Sequence, residues 1–199
     1  MNFMHIVRNK QMFGWMAAGM IACSLVFSSP AFAAEAEGEA VVSDEGPEVP
    51  SNIYQWVQST ARQNYYFNRQ QMHYEVKDGK INRDVLIVPT LRTYDDIQIE
   101  DVVAKRRWNM EPLDGYDHLV GAAEYLRIDR KAGTVTIERH DDLDDTWGTI
   151  NKVTEPTTVT IADLSEKDVD GCFYRAILKY ADKHAESLLK RTQHRFGGE

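Results

Sequence analysis

Four aspartates, a glutamate and a histidine crowd into Glu138-Arg139-His140-Asp141-Asp142-Leu143-Asp144-Asp145, the densest group of potential ligands in the chain. Hard cations favour oxygen donors, and calcium takes six or more of them. Asp141, Asp142, Asp144 and Asp145 would offer three or four, completed by backbone carbonyls and water on a loop just after an expected strand. The Asp-x-Asp-x-Asp-Gly spacing of a dedicated calcium loop is missing, and a solvated acidic loop explains the same residues. His140 beside Asp142 is also the pair best suited to orient a general base, although no nucleophile is tied to it by spacing.

Other residues carry weaker chemistry. Asp78-Gly79-Lys80-Ile81-Asn82-Arg83-Asp84 is similar to the middle of an EF-hand or dockerin calcium loop, but Tyr74, Val76 and Val85 stand where that loop needs oxygen ligands. A turn between strands accounts for these residues. Cys172 and His184 lie twelve residues apart on one expected helix, about 18 Å along its axis, too far for a catalytic dyad. Cys172 reads as a small buried residue, or as one half of an intermolecular disulfide. Lys105-Arg106-Arg107-Trp108 is the one basic run, suited to gripping an anionic partner or to capping a helix. Tyr65-Tyr66-Phe67 are consecutive, so a helix cannot bury all three rings on one stripe. Tyr65, Tyr66, Arg106, Arg107 and Trp108 are therefore the candidate binding residues. No phosphate-binding glycine loop, G-x-S-x-G elbow, H-E-x-x-H or C-x-x-C pair occurs.

The elements that must position these groups follow from periodicity. Ile53, Val57, Ala61 and Tyr65 recur at helical spacing after Ser51 and predict a helix ending near Asn68. Met72, Tyr74 and Val76 alternate, Lys77-Asp78-Gly79-Lys80 turns, and Val85-Leu86-Ile87-Val88 predicts a covered strand stopped by Pro89. Ile99, Val102 and Val103 suit a short helix ending near Arg107, while the alternation of Ile97 and Ile99 leaves a strand open. Leu126 and Ile128 pair with Val135 and Ile137 across Arg130-Lys131-Ala132-Gly133, and Val159 and Ile161 add a strand. Val169, Phe173, Ile177, Tyr180, His184 and Leu188 predict one long terminal helix opening with acids and closing with bases. Together these give an α+β domain, an antiparallel sheet of about five strands with N-terminal and C-terminal helices packed on one face.

The start of the chain limits where that domain works. Arg8 and Lys10 precede the apolar run Met12–Phe27, and Ala31-Phe32-Ala33 offers a peptidase site, so residues 1–33 read as a secretory signal cleaved at Ala33/Ala34. The run is shorter than the roughly 20 residues of a membrane span. An uncleaved anchor, or acylation of Cys23, would instead tie the protein to a membrane. Residues 34–50 hold six acids among small residues and read as a disordered linker, leaving 51–199 as one domain.

Of the 31 acids none, and of the 23 bases two, lie in residues 1–33, so their removal shifts the net charge from −8 to −10. That balance disfavours nucleic acid. The resulting expectation is a periplasmic or secreted, non-enzymatic binding or assembly domain of a bacterial cell envelope, with a protein or glycan partner and no cofactor. The alternatives are an envelope hydrolase built on His140 and nearby carboxylates, with or without calcium, and a membrane-anchored structural protein that retains its signal.

Overall fold

Tyr65-Tyr66-Phe67 belong to a strand: Tyr65 and Phe67 are buried and Tyr66 between them faces the other side. The computed structural model describes residues 46–197. The signal expected at 1–33, Cys23 and most of the expected linker lie outside the described residues. Strands β1 (Tyr54–Ser59) and β2 (Gln63–Asn68) form a hairpin where the spacing predicts an N-terminal helix. Residues four apart share a face in a strand as well as in a helix, and the tyrosines, Trp56 and Val57 favour the pleated form. At the end of the expected linker, Pro50 O accepts from Ile53 N and Tyr54 N.

The sheet has eight antiparallel strands rather than about five. After β3 (His73–Lys77) come β4 (Lys80–Tyr94), the helix α1 (Asp96–Trp108), β5 (Leu119–Asp129), β6 (Thr134–Asp144), β7 (Thr149–Val153) and β8 (Thr157–Thr160). The main path runs β1-β2-β4-β5-β6-β7. Three long strands form its middle, and each outer flank is split between two short ones. On one side β4 pairs with β3 up to Ile87 and with β2 from Thr90, and on the other β6 pairs with β8 and then β7. Pro89 falls in the gap between the β3 and β2 pairings and is paired only with Tyr125 of β5, and β4 runs on past it.

The turn Asp78-Gly79 has both residues at positive φ, 51° and 72°, a hairpin geometry that accounts for the residues resembling a calcium loop. The β5–β6 hairpin has the expected register, Ile128 against Val135 and Leu126 against Ile137. Its strands extend further than expected, so the acidic stretch 138–144 is strand rather than loop. The terminal helix is divided at His184 into α2 (Val169–Lys183) and α3 (Ala185–Phe196). Asp168 caps α2 by accepting from Gly171 N at 2.7 Å. Phe173, Ile177, Ala181 and Leu188 pack with Phe67, Leu86, Val88, Leu126 and Ile128 to form the core on one face of the sheet. Among the described residues no helix is long and apolar enough to cross a membrane.

Candidate functional site

A bulge decides which charges enter the helix-covered face. Between the pairs Leu126–Ile137 and Tyr125–Arg139, Glu138 has no partner, and the alternation of β6 shifts by one residue there. His140 and Asp142, rather than Arg139 and Asp141, consequently join the row that continues from Val135. Tyr65, Arg92, Ala122 and Asp142 lie side by side across β2, β4, β5 and β6, and Tyr65 meets Phe173 of α2 with ring centroids 5.4 Å apart.

On this face the charges satisfy one another. His140 Nδ1 lies 3.4 Å from Glu124 Oε1 and its Nε2 lies 3.1 Å from Asp142 Oδ1. Hydrogen bonding to Asp142, then to Glu124, raises the imidazole to about 9 against the cost of burial. Burial alone would push Glu124 and Asp142 up, but hydrogen bonds from His140, with Arg92 and Tyr116 contributing, hold both carboxyls below their usual range. Arg92 ion-pairs at 3.0 Å with both Glu124 and Asp170. Tyr116 donates to Asp142 at 2.5 Å, and the Arg106 guanidinium lies 4.2 Å from the Tyr116 ring centre. Arg106 also donates to Pro112 O and pairs with Glu111. With a proton on each ring nitrogen, His140 has no lone pair to accept another. This arrangement clamps α1 and α2 to the sheet.

The four aspartates considered for a cation are dispersed. Asp141 faces away from Asp142 and pairs with Arg139 at 2.6 Å, while Arg139 lies 3.7 Å over the Tyr125 ring. Asp144 Oδ1 accepts from Thr146 N and Gly148 N and holds the β6–β7 turn. Asp145 lies 3.1 Å from His118. Strand alternation separates the first pair and the turn separates the second. Among the described residues no group of three His, Cys, Asp or Glu is arranged to hold a metal ion.

The candidate binding residues separate as well. Tyr65 is core, Arg106 is turned inward, and Arg107 and Trp108 project from the end of α1, Trp108 being 87% exposed. Tyr66 lies on the opposite face from Tyr65 and lines an open cleft of about 1000 Å³. Trp147 brings a second aromatic side chain, Asp96, Asp117 and Asp145 bring carboxylates, and Asn64, Thr93 and Thr146 add neutral polar groups, whereas Tyr94, two residues from Arg92 on β4, directs its ring to the Tyr65 face. Pro47 and Val49 contribute apolar surface, so the end of the expected linker forms part of the wall. His118 sits between two of the acids, 3.5 Å from Asp117 and 3.1 Å from Asp145. Trp147 is held at φ +64°, a left-handed conformation that costs a large side chain roughly 1–2 kcal/mol. Strain of this kind persists where surrounding contacts impose it, and here the strained residue lines the cleft.

Family models, curated proteins and solved structures give no match to this chain.

Reading residues singly missed the cleft, because its walls come from β2, β4, α1, the turn before β5, the β6–β7 turn and residues 46–49. Its one local signal was Thr146-Trp147-Gly148, a large ring placed in an acidic turn. The Cys172 thiol, partly buried, donates to Glu166 O at 3.1 Å.

Proposed function

We propose that this protein is an exported binding or assembly domain of the cell envelope, periplasmic or secreted after cleavage at Ala33/Ala34, and that its ligand is a glycan carrying amino groups. The observation that carries this reading is the joining of Trp147 and Tyr66 to Asp96, Asp117 and Asp145 in one cleft. Aromatic faces take up the apolar face of a sugar ring, and carboxylates accept from hydroxyl and ammonium groups. Three acids on an already acidic chain repel uronates and phosphate backbones, so neutral or cationic sugars are favoured. The strain at Trp147 fits a side chain kept for contact rather than for stability.

Calorimetric titration of the purified protein with a glucosamine oligosaccharide, its N-acetylated counterpart and a uronate oligosaccharide tests this reading. Binding should be strongest for the free amine and absent for the uronate, and Asp145→Asn with Trp147→Ala should abolish it. No heat with either glucosamine compound, or binding that survives both substitutions, removes the cleft as the site. An intact mass beginning at Ala34 is the outcome expected for export.

A further inference from the structure

A second groove, of about 520 Å³, lies between β1 and α2 on the other side of the β1–β2 hairpin from Tyr66. Its charged lining is entirely basic, with Arg69, Lys179 and Lys183 and no acid, on a chain whose net charge is −8. Lys179 and Lys183 are exposed, stand one helical turn apart on α2 and have no ion pair among the described residues. Like charges at that spacing cost an isolated helix a few tenths of a kcal/mol. The groove also holds Tyr180, whose ring stacks on His184 with centroids 4.0 Å apart, whereas Trp56 pairs with Tyr66 and turns its ring to the opposite face, its Nε1 donating to Ser59 Oγ at 3.2 Å.

Among the described residues β1 pairs on one side only, with β2. Its other edge presents unpaired backbone donors and acceptors, which invite an added strand. Gln58 Nε2 donates to Val169 O at 2.7 Å and so ties β1 to the start of α2, fixing the helix beside that edge. Backbone pairing is available along the strand, cations lie along one side of it, and aromatic side chains lie within reach.

We propose that this groove binds an extended acidic peptide segment of a partner protein, which adds to the β1 edge and directs its carboxylates at Lys179 and Lys183. An anionic polysaccharide would use the cations but not the backbone edge, and that difference separates the two in a test. The site is independent of the aromatic cleft, since the two share no lining residue.

A short fluorescein-labelled peptide of alternating glutamate and valine is titrated into the purified full chain and followed by anisotropy, with amide exchange measured on the complex. Saturable binding is expected, weakening at least tenfold in the Lys179→Glu/Lys183→Glu double variant and unchanged in Asp145→Asn. The β1 amides should gain protection. Both lysines are solvent-exposed, so charge reversal there leaves the core intact. Equal affinity for the lysine-and-valine analogue, affinity unaffected by the double reversal, or β1 amides left unprotected each overturn the proposal. Binding of a uronate oligosaccharide without binding of the peptide overturns it as well.

Discussion

Glu124 on β5 and His140 on β6 stand directly opposite each other, with Oε1 and Nδ1 3.4 Å apart, on the sheet face covered by α2. Because His140 also reaches Asp142, its ring is held as a cation between two carboxylates. The pair marks where the apolar core of the sheet gives way to an internal ionic layer.

That layer makes stability depend on pH in a definite direction. His140 rises from 6.5 to about 9 on folding, so its contribution is complete below 6.5 and is lost as pH climbs through 9. Glu124 and Asp142 are lowered, so their contribution is complete above the ordinary carboxylate range and is lost on acidification. Urea denaturation should therefore show greatest stability between about pH 5 and 6.5. A decline on the order of 2 kcal/mol is expected toward pH 10, reduced from the full shift because the ring is partly exposed. His140→Gln should lose that alkaline decline.

Arg106 and Arg107 are neighbours in sequence with opposite expected effects. Arg106 is turned onto Tyr116, Pro112 O and Glu111, whereas Arg107 faces solvent. Arg106→Ala should cost about 2 kcal/mol in chemical denaturation, and Arg107→Ala should stay within about 0.5 kcal/mol of the parent.

Gly121 leaves no room for a side chain. A Cβ there would lie 2.1 Å from Arg92 O, a backbone atom that cannot swing aside. Gly121→Ala should destabilise by about 3 kcal/mol or more, or prevent folding, as read by thermal melting and soluble yield.

Trp147→Gly tests whether strain and ligand contact coincide. Glycine removes about 1 kcal/mol of left-handed strain and forfeits the contacts of a half-buried ring, so the two changes largely offset. The melting temperature should move by only a few degrees while calorimetric binding of the glucosamine oligosaccharide disappears. A large fall in melting temperature would make Trp147 a structural residue instead.

The segments legible from sequence were those with one buried face and one solvent face. The β5–β6 hairpin alternates Leu126, Ile128, Val135 and Ile137 against the core, and α2 carries Phe173 and Ile177 at a clear helical spacing. Residues 53–65 misled because a spacing of four satisfies both a helix and a strand, and only the aromatic content separates them. At 138–144 a run of charge suggests solvent. The bulge at Glu138 instead turns His140 and Asp142 inward, where partners 16 to 36 residues away neutralise them. Neither the bulge nor those partners leaves a periodic trace in the sequence, and the cleft is assembled from too many segments to leave one.

Pro89 divides the longest strand of the sheet into two pairing territories, one for β3 and one for β2. Each flank strand is joined to β4 through its own set of backbone bonds, with no bond bridging the proline. On β4 the β1–β2 hairpin and β3 are separate attachments, and Met72 N donating to Asn68 O at 3.0 Å links them to each other. That hairpin supplies Tyr66 to one binding surface and the free edge of β1 to the other. The proline therefore works as a perforation in the hydrogen-bond ladder, while Tyr65 and Phe67, packed in the core against Phe173 and Tyr180, keep the hairpin fastened through side chains.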